Sequence, residues 1–112
     1  MLTPQAISFK GYRGASFSED VNFWNDPGQT SPFDFSPWTI TVTAKLGTDS
    51  IPLHFAVNAA PNANKITFSM SPTETAAVEA ATYHVVVTLT ATSGSPAEVE
   101  YLAAGDLTFQ DP

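Results

Sequence analysis

The segment Trp38-Thr39-Ile40-Thr41-Val42-Thr43-Ala44-Lys45-Leu46 alternates without a break between an apolar residue and a threonine or lysine. Side chains of a strand point alternately to its two faces. A period of two therefore places Trp38, Ile40, Val42, Ala44 and Leu46 on one face and the threonines and Lys45 on the other. A helix would scatter the same residues around its circumference. The segment reads as a half-buried strand ~30 Å long. Its threonines favour that reading, because β-branched side chains suit a pleated surface.

The rhythm recurs along the chain. Phe17, Val21 and Phe23 alternate with Ser18, Asp20 and Asn22, with Glu19 out of place on the apolar side. Ile51, Leu53, Phe55 and Val57 form a second set, and Ile66, Phe68 and Met70 a third. Tyr83, Val85, Val87, Leu89 and Ala91 form a fourth. Val99 and Tyr101 oppose Glu98 and Glu100. The phase then breaks at Ala103-Ala104-Gly105, which predicts a bulge or short turn, and resumes at Leu107 and Phe109. Gly47-Thr48-Asp49-Ser50 predicts a hairpin connection, and longer loops are expected at 58–64 and 93–96. The longest irregular stretch, Asn25 to Pro37, carries Phe33 and Phe35, which predict that part of it packs down.

One helical start is present. Ser71-Pro72-Thr73-Glu74 combines a capping serine, proline at the first helical position and glutamate three residues after the cap. The alanine-rich continuation to Ala81 allows two turns, a crossover between strands. At 112 residues the chain makes a single domain spanning 1–112. Seven or eight short strands with turn residues between them predict an all-β sandwich.

Little of this inventory suits chemistry. There are no cysteines, so disulfides, thiol catalysis and cysteine zinc sites are excluded. The net charge of −7 argues against a nucleic-acid binder, which needs basic residues to neutralise phosphates, and against docking on an anionic membrane. The first residues, Met1-Leu2-Thr3-Pro4-Gln5, lack the basic and apolar regions of a signal peptide. His54 and His84 both fall on polar registers and would meet only if their strands paired; a metal needs three or four converging ligands. Gly11-Tyr12-Arg13-Gly14 has no following helix to make a phosphate cradle. No nucleophile elbow occurs. The expectation is a non-enzyme without cofactor or metal. Aromatic residues remain. Tyr12, Trp24, Trp38 and Phe33 are candidates for a sugar-stacking platform or for interface anchors. Trp24 falls on a polar register and is expected at the surface, while Trp38 is expected in the core.

Several short motifs together resemble a known family. They are Tyr12-Arg13-Gly14-Ala15-Ser16-Phe17, then Val21-Asn22-Phe23-Trp24, then the corner Asp34-Phe35-Ser36-Pro37-Trp38-Thr39-Ile40. Thr75, Val78 and Tyr83 follow, and Tyr101-Leu102-Ala103-Ala104-Gly105-Asp106-Leu107 closes the pattern. In this the chain resembles the immunoglobulin-like β-sandwich modules of tailed bacteriophages found at the N-terminus of baseplate upper proteins. It departs at Pro37 and Ala81, where that pattern has glycine. The resemblance implies an immunoglobulin-like antiparallel β-sandwich of 7–8 strands with one short helical turn. It implies a structural protein of the virion, bound to other virion proteins in the tail, baseplate or fibre region, and no shared active site.

Two alternatives accompany that expectation. A free-standing sandwich of this size also suits a capsid decoration protein, and exposed Trp24 or Tyr12 would suit a carbohydrate-binding adhesion module. Copies in a particle follow its symmetry, so a homo-oligomer is expected. The expected partner contacts are Leu2 and Ile7, on an N-terminal segment Met1 to Phe9 that adds as an edge strand to a partner's sheet, with Tyr12, Trp24 and, in the long loop, Phe33.

Overall fold

A computed structural model describes residues 5–24, 33–58, 64–94 and 97–112. It contains β1 (Gln5–Tyr12), β2 (Phe17–Asn22), β3 (Trp38–Leu46), β4 (Asp49–Ser50), β5 (His54–Val57), β6 (Lys65–Met70), α1 (Pro72–Ala77), β7 (Thr82–Gly94) and β8 (Ala97–Gln110). Two sheets face each other, one in the order β1-β8-β7-β3-β4 and the other β2-β6-β5. The core between them holds Phe9, Phe17, Phe68 and Phe109 in edge-on and tilted ring contacts, with Ile66, Val85, Val87, Leu89 and Leu107. Period-two burial is clearest in β6, where Ile66, Phe68 and Met70 are buried and Lys65, Thr67 and Ser69 are not.

The arrangement is that of an immunoglobulin sandwich. The strands β2-β6-β5 occupy the B-E-D sheet, and β8-β7-β3 the G-F-C sheet. The corner before β7 carries the diagnostic tyrosine. The Tyr83 hydroxyl donates to the Glu79 carbonyl (2.9 Å) and accepts from the Glu79 N–H (3.1 Å). Val85, two residues on and fully buried, stands where antibody domains have their second cysteine. Tyr83→Phe keeps the packing and orphans both backbone groups. It is expected to cost ~1–3 kcal/mol, read from the urea unfolding midpoint.

Four sequence expectations need correction. The N-terminal strand forms an edge of the large sheet: on one side β1 pairs with β8 of its own chain, Gln5 beside Ala103 through Tyr12 beside Gln110, so the partner strand expected there would have to add on its other side. This pair is parallel, an exception in an otherwise antiparallel fold. It is possible because the whole domain forms the crossover between the two strands. Ile7 and Phe33 are buried in the core, so neither is a surface contact. The Phe33 ring meets the Phe35 ring at 5.0 Å in a tilted contact, which is the packing down expected of that loop. Leu2 lies outside the described residues.

The run Ile51 to Val57 is not one strand. β4 belongs to the large sheet and β5 to the small one, and the chain changes sheets at Pro52, which has no N–H to donate to a ladder. The bulge falls at Leu102, between the pairs Val87–Ala103 and Thr88–Tyr101, rather than at Gly105. Gly105 serves a different need. A Cβ there would overlap the Ile7 carbonyl, so only glycine lets β1 approach β8.

Helix α1 starts as expected. Ser71 Oγ accepts from the Glu74 N–H (3.2 Å), and Glu74 Oε1 accepts from the Ser71 N–H (2.9 Å). It stops at Ala77 because Val78 turns extended and enters the core. Arg13 caps that end: its guanidinium donates to the carbonyls of Val78 (2.7 Å) and Ala76 (3.3 Å) and pairs with Asp111 (2.9 Å). Gly14, at φ 81, adopts a left-handed turn, and its N–H donates to buried Thr75 Oγ1 (3.1 Å). The Arg-Gly pair is thus a latch between the β1–β2 turn and α1.

Candidate interaction surfaces

The two histidines do not converge. His54 is on β5 and His84 on β7, in different sheets, so the two rings cannot share a metal. Among the described residues no group of three or more His, Asp and Glu side chains is placed to hold a metal ion. His54 Nε2 instead lies 2.6 Å from Glu74 Oε2 and ties β5 to α1.

The Glu74 carboxyl is held below its usual range, first by the Ser71 backbone N–H and then by His54. Its folded form therefore prefers the ionised state. The resulting stability is present above the unfolded carboxylate range and lost as pH falls through the lowered folded value. Glu74→Gln keeps an acceptor for the cap but cannot titrate. Its unfolding midpoint is expected to fall less steeply with acidification than the wild type, measured in urea across the acid limb.

A cavity of about 590 Å³ lies between α1 and the β3–β4 end, with Asp49, Glu74 and Glu79 around Leu46, Ile51, Val78 and Tyr83. The Tyr83 hydroxyl is committed to the Glu79 backbone. The cavity thus has carboxylates on an apolar floor. At the corner before β3, the Asp34 carboxylate accepts from the Ser36 N–H (3.0 Å) and hydroxyl (3.1 Å). These two bonds hold its acidity above normal, the backbone bond first. They form the Asx turn expected from the sequence.

The surface is more informative. Paired residues of a sheet share a face, so the register arranges the outer side of the large sheet in rows. Val99, Thr90 and Thr39 form one row, and Tyr101, Thr88 and Thr41 the next. The third is Ala6, Ala104, Val86 and Thr43. The fourth, Ser8, Asp106, His84 and Lys45, brings charge. Three uncharged rows on a chain of net charge −7 are a concentrated apolar and hydroxyl surface. Val99 and Tyr101 stand on it 55% and 56% exposed. The bulge at Leu102 puts them there, because an extra residue reverses which side of β8 faces the core.

Of the residues expected at a contact, Tyr12 is exposed, on the same outer side but next to charged Lys10 (5.9 Å from its ring). Trp24 is half-buried, close to where Phe23 is bonded by Asn64. Trp38 is half-buried against the core. Tyr101 and Val99 were missed as surface residues because alternation alone does not say which face is inside.

A second exposed apolar strip lies along the side of the sandwich. Phe55 and Val57 pair with Phe68 and Ile66, so they point inward, yet they are 37% and 42% exposed. Across from them are Trp38 and Ile40, and the groove between holds about 420 Å³.

No family model matches the chain, and no curated protein matches it. Among solved structures, the second immunoglobulin domain of the mouse polymeric immunoglobulin receptor is similar, with a TM-score of 0.51 at 12% identity. The match covers 96% of this chain and 99% of that one. At such identity the likeness concerns the fold alone. Together with the strand order and the corner tyrosine, it makes the chain an immunoglobulin-like β-sandwich.

Proposed function

We propose that this chain is a structural protein of a bacteriophage particle, attached to other virion proteins in the tail, baseplate or fibre region. The observation that carries the reading is the uncharged part of the outer face of β8, β7 and β3, the three rows from Val99 to Thr43. Interface cores are depleted of charge and enriched in tyrosine, and this face has both properties around Tyr101. A sandwich with strands on two layers presents such a face rigidly, so little order is lost on docking. The motif resemblance around Arg13-Gly14 and the Asp34 corner supplies the particle as the setting.

The test is location in purified phage. Gold attached at the C-terminus and imaged by electron microscopy is expected at the tail tip, baseplate or fibres. Label spread over the head would replace this reading with a decoration protein, and particles without label would overturn the virion reading. Tyr101→Lys is expected to lower incorporation by at least ~10-fold while leaving the unfolding midpoint within ~0.5 kcal/mol, since the residue is exposed.

A further inference from the structure

The cavity of about 590 Å³ shares no residue with the outer-face rows. Its inner surface is apolar. Val78 and Tyr83 are buried there, Ile51 is half-buried and Leu46 is 41% exposed. Three carboxylates stand around that surface, each from a different segment. Asp49 belongs to β4, Glu74 to α1 and Glu79 to the corner before β7. Asp49 and Glu79 are exposed, and Glu74 is half-buried.

The chain brings no lysine or arginine to these acids. It has four such residues, and none lines the cavity. Arg13 is held by Asp111 and the end of α1, and Lys65 lies by Asp20 (3.8 Å). Lys10 sits over the Tyr12 ring, and Lys45 pairs with His84 across the large sheet. Glu74 is engaged by the Ser71 N–H and by His54. Among the described residues, the carboxylates of Asp49 and Glu79 have no hydrogen-bond or ion-pair partner. A cleft lined by one sign of charge on apolar walls focuses the field of those charges.

A compact metal ion does not fit here. Among the described residues no three His, Asp or Glu side chains are placed to hold one, so the carboxylates border one cavity without converging on one point. What fits is positive charge carried on an apolar body. Lysine and arginine have that build, since their methylene stems lie along apolar surface while the charged head stays in water. Arginine adds a planar fork that matches a carboxylate. The volume lies in the range of sites that hold a drug-sized molecule, more than one alkyl stem fills.

We propose that this cavity receives a basic segment of a partner protein, in which two arginine or lysine residues flank an aliphatic one. The aliphatic side chain covers Val78 and Tyr83. The two stems lie against Leu46 and Ile51, and their heads meet Asp49 on the β4 side and Glu79 on the α1 side. This inference does not depend on the virion reading.

A nuclear magnetic resonance titration of the labelled protein tests it, at ~0.15 M salt, where charges more than ~8 Å apart are screened. The probe is the end-blocked peptide arginine-leucine-arginine. Amide shifts are expected at Asp49, Ile51, Val78 and Glu79, with a dissociation constant of ~1 mM or below. The same peptide with citrulline for arginine keeps its shape and loses its charge, and should bind at least ~10-fold more weakly. The peptide with glycine for leucine should bind at least ~3-fold more weakly, because the apolar surface stays wet.

Glu79→Gln should raise the dissociation constant ~5-fold, and Asp49→Asn with Glu79→Gln at least ~10-fold. Both side chains are exposed, so the unfolding midpoint should hold. Glu98→Gln removes an equal charge elsewhere. Its neighbour Val99 pairs with Thr90, more than ~20 Å along β7 from Tyr83, and the variant should bind as the wild type does.

Absence of shifts at ~10 mM peptide would overturn the proposal. So would equal binding of the citrulline or the glycine peptide. A loss from Glu98→Gln as large as that from Glu79→Gln would make the attraction a property of the whole acidic chain. Tighter binding of spermidine than of the peptide would assign the cavity to a free polyamine. Either result overturns the partner segment.

Discussion

Gly105→Val is expected to detach β1 from the large sheet while the rest of the sandwich persists. A side chain at position 105 would occupy the space of the Ile7 carbonyl, and backbone atoms cannot step aside as a flexible side chain can. Relieving the overlap means moving β1 outward along much of its register with β8. Ile7 and Phe9, both buried, would then lose their cover. Full burial of such side chains is worth ~1.5–3 kcal/mol each, so the expected loss is ~3–6 kcal/mol, an upper range because the unfolded chain already hides some apolar surface. That is comparable with the whole stability of many small domains. Urea unfolding gives the loss, and hydrogen exchange locates it: amides of β1 should exchange freely while those of β6 stay protected. A midpoint equal to the wild type would show that β1 contributes nothing to the fold.

Phe68→Ala is expected to cost ~3–5 kcal/mol, and Phe55→Ala about 1 kcal/mol. The two residues are directly paired on neighbouring strands and face the same way. They differ in cover. Phe68 is fully buried and meets the Phe9 ring at 5.3 Å, so its loss leaves a cavity that neighbours fill only in part. Phe55 lies on the open side of the sandwich, where water already reaches it, and its truncation only widens a groove. Denaturant midpoints of the two variants check the difference. Equal losses would mean that the side of the sandwich is as closed as its centre.

The contrast shows what alternation conveys. Period two sorts Trp38 to Leu46 correctly into two sides, and β3 follows that sorting. It leaves open how much of the inner side is covered, which depends on how many strands the opposite sheet supplies. It also leaves open which side is inner. Val99 and Tyr101 alternate as well as any core pair, and one inserted residue, Leu102, turns them outward. Local chemistry was legible in full at the Ser71 cap and the Asp34 turn, because both involve neighbours within three residues. The Arg13 latch and the burial of Ile7 depend on contacts with residues near the far end of the chain, Asp111 and the strand beginning at Ala97. No window of sequence contains both partners. The candidate surface is long-range in the same sense: its rows cross β8, β7 and β3, and only the register assembles them.

The parallel pairing of β1 with β8 has a mechanical consequence. Gln5 lies beside Ala103 and Tyr12 beside Gln110, so the leading end of β1 and the trailing end of β8 are at opposite ends of the same ladder. Tension applied between the two ends of the domain runs along both strands in opposing directions. It loads their rungs together in shear, where a hairpin pulled from one end would yield one rung at a time. The rungs resist as a set, and the rate of forced unfolding is governed by the barrier to breaking them at once. A sandwich closed this way transmits a pull through its length before it gives.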